Sequence, residues 1–348
     1  MAGQREMSRK ADTRSVLSRG IRVLTDDECV EPFQPSLFRS EPTFPKEELG
    51  TALRALANHN TLIGTSSWRY EGRLGQVYTP ERYYSRGRFS KTKFQEECIQ
   101  EYAEVFPVVG GDFSFYAAPT PEFWRKLFSR APSELKWSLK APEDFTVKRF
   151  PQHPRYGPRR GLLNPAFLDA ELFTAAFLEP LSPYLERIAV VIFEFGTFSR
   201  EIYPERRAFL DDLGAFLQRL PRSIQFSTEI RNEEFLCAEY FDTLRSHGVA
   251  HVFNSWTRMP SLADQVQIVD AFTAPHTVVR ALLRPGRAYD QSVTMFAPYR
   301  EIREEYPEGR EALRSMIRES MGRKRNTYIH VNNRFEGNAI ETIRAVVG

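Results

Sequence analysis

The sequence predicts a single (β/α)8 TIM barrel behind an N-terminal extension, and three observations lead there. From Thr61 onward short apolar runs alternate with segments of helical spacing, and eight such runs occur before Gly348. One of them, IAVVIFEF from Ile188 to Phe195, is almost wholly apolar, as a strand buried on both faces must be. No GxGxxG turn follows any run, which argues against an open dinucleotide-binding sheet. The expected division is an extension over residues 1–60 and the barrel over 61–348.

Residues 1–44 begin polar and become rich in proline and aromatics (EPFQPSLFRSEPTFP) without a sustained period, so an arm, partly disordered at its start, is expected. Leu49, Leu53 and Leu56 place a helix over Pro45 to Asn58, expected to cover the bottom of the barrel. Strand one is the start of LIGTSSWRYEG from Leu62, and the chain then breaks at Gly72 and Gly75. Phe94, Cys98, Tyr102 and Val105 mark one helix face, and strand two is expected in Val108 to Tyr116. Thr120 should cap a helix with Pro121 first and Phe123, Leu127 and Phe128 inward. Leu135 to Lys140 is strand three, followed by an irregular insertion to about Asp169 and a helix bearing Leu172, Phe173, Ala176 and Phe177. After strand four, Pro204 opens a helix with Phe209, Leu213, Phe216 and Leu220 on its core stripe. Ser223 to Arg231 is strand five, and Phe235 to His247 is a helix closed by Gly248. Strands six to eight fall at Val249 to Asn254, Thr277 to Leu283 and Thr327 to Asn332, before a last helix carrying Ile340, Ile343 and Val347.

Composition is that of a globular domain, with 41% hydrophobic and 27% charged residues, and the 27 phenylalanines read as core filling. A formal charge of +3 is too small to indicate a partner. Cys29, Cys98 and Cys237 form neither a disulfide framework nor a metal spacing, which fits a reducing compartment. No apolar run of membrane-spanning length occurs, so a cytoplasmic protein without a membrane partner is expected.

In a barrel the chemistry sits at the C-terminal strand ends. Strand one offers Thr65, Ser66, Ser67, Trp68 and Tyr70; strand two Asp112, Ser114 and Tyr116; strand three Lys140; strand four Glu194; strand five Glu229 and Arg231. Strand six offers Asn254 and Ser255, strand seven Arg280 and Arg284, and strand eight His330, Asn332, Asn333 and Arg334. Lys140, Glu194 and Glu229 are the candidates for proton transfer, because burial raises a carboxylate pKa and lowers that of a lysine. The competing account is that they neutralise one another in a structural ion-pair network. Arg280, Arg284 and Arg287 lie where barrels often hold phosphate, which points to an anionic ligand. Residues 145–168 contain no acid, whereas Lys148, Arg149, Arg155, Arg159 and Arg160 are interleaved with aromatics, a pattern that also suits a nucleic-acid strand. None of the six histidines stands in a metal-binding pattern; a mixed site from Glu194, Glu229 and His330 is the weaker alternative, and no metal ligand is assigned. A hydrolase triad is disfavoured because Ser66 and Ser67 lack the GxSxG elbow.

Several stretches together resemble the YecE-like family, also called domain of unknown function 72. They are IGTSSW with Tyr70, FSFYAAPTPEFW, WSLKAPEDF, VIFEF, the EIR of Glu229 to Arg231, VVRALLRPGRAY and HVNNRFEGNA, spread from about Leu62 to Val347. The resemblance implies a TIM barrel of unestablished activity. It carries motif residues over to Thr65, Ser66, Trp68, Tyr116, Lys140, Glu229, Arg231, Arg280, Asn332 and Asn333. The chain departs from the family pattern at Gly110, where a glutamate is usual, and in its N-terminal extension and long loop after strand three. At the level of fold the family is similar to endonuclease IV and sugar isomerases.

The leading expectation is an enzyme doing acid-base chemistry on a small anionic ligand at the C-terminal mouth. Lys140, Glu229 and Glu194 would act catalytically. Thr65, Ser66, Trp68, Tyr70, Tyr116, Arg231, Arg280, Arg284, Asn332 and Asn333 would line the site. The alternative is a nucleic-acid binding or processing protein gripping through residues 145–168. Cofactor and oligomeric state are left open by these residues.

Overall fold

Eight parallel strands close on themselves in the computed structural model, which describes residues 44–348 apart from Val269. In chain order they are β1 Thr61–Thr65, β2 Val108–Gly111, β3 Lys136–Lys140, β4 Ile188–Phe195, β5 Phe226–Ile230, β6 Ala250–Ser255, β7 His276–Ala281 and β8 Asn326–Val331. Each pairs with its sequence neighbours, and β1 closes the ring by pairing with both β2 and β8. This is the TIM barrel that the alternation predicts. The expected arm over residues 1–44 lies almost wholly outside the described residues, as does Cys29.

Side chains alternate between two cores, as strand geometry requires. One set, including Ile63, Val109, Leu139, Val191, Phe193, Ile230, Val279 and Ile329, packs outward with the helices. The other, Leu62, Val108, Val190, Ile192, Val252, Val278 and Tyr328, fills the lumen. The helix Lys46–Ala57 buries Leu49 and Leu53 against β1, the first barrel helix Lys91–Val105 and the last helix Ala339–Val347. The described residues, 44–348, accordingly belong to one compact unit.

Three local expectations are corrected. Strand two ends at Gly111, and Phe113–Tyr116 forms a helical turn, so Tyr116 is carried out to 64% exposure. In the helix Pro121–Arg130, capped by the Thr120 hydroxyl as expected, Trp124 rather than Phe123 faces the core. Leu172 is likewise exposed, while Phe173 and Phe177 beside it are buried.

Candidate active site

Continuing the inward alternation of the strands upward from the apolar lumen brings ionised side chains to the mouth. Ser138 leads to Lys140, Ile192 to Glu194, Ser227 to Glu229 and Val278 to Arg280. Arg231 and Asp112 stand one step beyond β5 and β2. These six form one connected layer. Arg280 donates through Nη1 to Glu194 Oε2 at 2.8 Å and to Glu229, and through Nη2 to Asp112 Oδ1 at 3.2 Å. Lys140 Nζ lies 2.8 Å from Glu194 Oε2 and 3.3 Å from Asp112 Oδ1. Arg231 Nη2 reaches Glu194 at 2.8 Å and Glu229 at 3.1 Å, with its guanidinium 3.7 Å over the Trp256 ring. Three cations thus face three carboxylates, and the layer is electroneutral.

Burial within the layer is graded. The Glu229 side chain is 0% exposed and Glu194 5%, whereas Lys140 is 10% and Asp112 37% exposed. The two glutamates and Arg280 therefore lie deepest, with Lys140, Arg231 and Asp112 nearer solvent. Burial pushes the Glu194 carboxyl up, but Arg231, Lys140 and Arg280 more than reverse that and hold it below the usual carboxylate range. The expectation of a raised Glu194 pKa is overturned: with three cations around it, this group stays ionised. Asp112 follows the same logic, its partial burial outweighed by Lys140 and Arg280. Burial and the nearby Arg280 depress His330 to about 3, so it is neutral, and it pairs through Nε2 with Ser138 Oγ at 2.8 Å. That geometry does not join His330 to Glu194 and Glu229, which arginines hold through Glu194 Oε2 and both oxygens of Glu229. Among the described residues no group of three or more metal-type side chains is assembled.

The other expected site residues divide. Arg284 bonds Glu304 and the Glu305 carbonyl, and Arg287 binds Glu304 with two contacts of 2.7 Å, so neither joins the layer. Trp68 does not wall the mouth; it is buried edge-on to Trp137 and Phe113 on the helix side. Thr65 is buried against Tyr102, and its hydroxyl accepts from Arg73 at 3.1 Å. Asn333 accepts from the Ala339 backbone and from Arg73, and Asn332 caps the turn carrying Arg334, so both shape the loop after β8. Tyr70 packs edge-on to Tyr299. Ser66 is buried at the end of β1, where a Cβ on Gly110 would meet its Cα and carbonyl oxygen at 3.0 Å. That close approach explains why glycine stands at 110. Tyr116 stands exposed on the turn after Asp112, with Arg155 over its ring at 5.5 Å.

Two members of the site were not singled out from the sequence. Asp112 was visible as a strand-end group, but the helical turn behind it was not. Trp256, which supports Arg231, lies two positions beyond Asn254 on the inward alternation of β6, and that period was the available signal.

The basic insertion is largely neutralised. Lys148 pairs with Asp212 at 3.0 Å, Arg155 with Glu143 at 2.5 Å and Arg159 with Asp144 at 2.7 Å, while Arg149 and Arg160 donate to loop carbonyls. A groove of about 770 Å³ between this insertion and the helix Arg206–Gln218 contains none of the expected site residues.

A closed parallel barrel with an ionised layer at the C-terminal ends of its strands defines a TIM-barrel protein whose mouth is the candidate site. Residues 62–347 match the family described as Protein of unknown function DUF72, and the chain belongs to that family, for which the YecE-like label also fits. A DUF72 family protein from Thermotoga maritima is 20% identical, with 82% of this chain and 97% of that chain covered at a TM-score of 0.55. One from Enterococcus faecalis is 15% identical, with 82% and 95% covered at a TM-score of 0.53. At these identities the likeness is one of fold. No curated protein matches the chain. Among the described residues no helix is long and apolar enough to cross a membrane.

Proposed function

We propose that the protein is an enzyme acting on a small ligand that carries a carboxylate or phosphate, bound at the mouth over Lys140, Asp112, Arg231 and Arg280. The observation that supports this is the layer itself. Gathering six charges at the strand ends costs desolvation that apolar side chains would avoid, and similar volumes of apolar residues are often neutral or stabilising in such places. Such layers are therefore better explained by chemistry than by stability. Lys140, an ammonium that can give a proton, and Asp112, a carboxylate that can take one, are its titratable members nearest solvent, and they are the groups assigned to proton transfer. Glu194 and Glu229 act through the cations they hold, as positioning residues.

Neutralisation of the insertion by Glu143, Asp144 and Asp212 weighs against the nucleic-acid reading. The test is the melting temperature of the full chain against sugar phosphates, carboxylates, divalent metals and short DNA and RNA, at low and moderate salt. A ligand at 100 times its dissociation constant adds about 2.7 kcal/mol of stability. A small-anion shift that survives added salt and is lost in Lys140→Met supports the enzyme reading; a shift with nucleic acid alone that vanishes with salt overturns it.

A further inference from the structure

The electroneutral layer poses a problem for any anionic ligand. Among the described residues, Lys140, Arg231 and Arg280 each already face a carboxylate, so an added anion would leave the site one negative charge in excess. Charge balance is kept, without uptake of a proton, if a resident carboxylate leaves its cations. Glu194 is in contact with all three of them, and Glu229 is fully buried under two arginines. Neither can withdraw without stranding a buried charge.

Asp112 differs in each respect. It is the most exposed acid of the layer, and its contacts with Lys140 and Arg280, at 3.3 and 3.2 Å, are longer than the 2.8 Å contacts that Glu194 makes. Its side chain caps no helix end. It follows two glycines, Gly110 and Gly111, and precedes a single helical turn rather than standing within a strand. Its position over Lys140 Nζ and Arg280 Nη2 is where a carboxylate or phosphate oxygen would bind those same two donors.

Resting on the proposed function, we propose that Asp112 is a built-in stand-in for the ligand's anion: the ligand's oxyanion displaces it from Lys140 and Arg280, and it reoccupies them on release. Oxyanion affinity in the wild type is then held down by competition with an internal carboxylate.

The experiment compares wild type, Asp112→Asn and Asp112→Ala by calorimetric titration with inorganic phosphate and with acetate at fixed ionic strength, chloride serving as the control. Asp212→Asn, which removes a negative charge outside the mouth, controls for net charge. Both Asp112 variants are expected to bind one of the two oxyanions about tenfold or more tightly than wild type, as removal of a close opposing charge does. Asp212→Asn should leave that affinity unchanged, and Lys140→Met added to Asp112→Asn should abolish the gain. Phosphate and acetate separate the two chemistries of the ligand. Oxyanion binding by wild type that is equal or tighter than in both Asp112 variants overturns the stand-in while leaving the proposed function intact. Absence of oxyanion binding in every variant overturns both.

Discussion

The lower lumen of the barrel and its mouth are built by the same strands, yet they differ in kind. Below, Leu62, Val108, Val190, Ile192, Val252, Val278 and Tyr328 meet as an apolar plug. One step further along the strands, Lys140, Glu194, Glu229 and Arg280 meet as charges, with Asp112 and Arg231 at the rim. Area removed from water stabilises the first arrangement at about 25 cal/mol per Å². The second replaces solvation with ion pairs that at best offset its loss. The lower layer therefore holds the barrel closed, and the upper layer is the one for which the proposed function supplies a reason.

The contrast can be broken most severely at Arg280, which touches all three carboxylates. Arg280→Met leaves buried negative charge without its main partner and is expected to lower unfolding free energy by about 3–5 kcal/mol, read by urea denaturation. Ile192→Ala in the lower layer should cost about 2–5 kcal/mol by opening a cavity, yet leave oxyanion binding in titration calorimetry as it is in wild type. These two losses would be similar in size and different in kind.

Acid acts on the two layers in sequence. Burial holds His276 at about 4, and burial with Arg280 holds His330 at about 3, so the folded protein keeps both neutral well below the usual histidine range. The unfolded chain takes up those protons below pH ~6.5, so stability should fall from that point by up to about 1.4 kcal/mol per pH unit for each histidine until its folded pKa is reached. Glu194, depressed by its cations, contributes stability that is complete above the unfolded carboxylate value of ~4.3 and is lost only as pH falls further. Urea midpoints at pH 7, 6 and 5 should show the histidine slope, and His276→Gln with His330→Gln should reduce it. The smallest effect is expected from the insertion: Arg159→Ala should change stability by less than about 0.5 kcal/mol and leave oxyanion affinity unaltered, as measured by the same denaturation and titration.

Much of this was legible along the chain. The strands stood out because parallel strands buried on both faces read as apolar runs, and Lys140, Glu194, Glu229 and Arg280 were readable as the charged ends of such runs. Strand two was overextended because Phe113, Phe115 and Tyr116 carry the aromatic character of a strand, while Gly110 and Gly111 gave no side-chain pattern to mark its end. Which acid meets which cation was not legible, since Arg280 lies 86 positions from Glu194 and 51 from Glu229. Only closure of the barrel brings them together. The insertion misled for the opposite reason: Glu143 and Asp144, which neutralise two of its arginines, lie just outside the acid-free stretch. Trp68 shows the limit of composition, because an aromatic beyond a strand end can turn to the helix side as readily as to the mouth.

If the upper layer serves ligand chemistry, closure of the barrel does not depend on its ion pairs. The double variant Lys140→Met with Glu194→Leu tests it directly, since it removes one cation and one carboxylate and leaves two of each. Its melting temperature should equal or exceed that of wild type, while the ligand-dependent shift disappears. A large fall in melting temperature with ligand binding retained would contradict the account and make the layer a structural network.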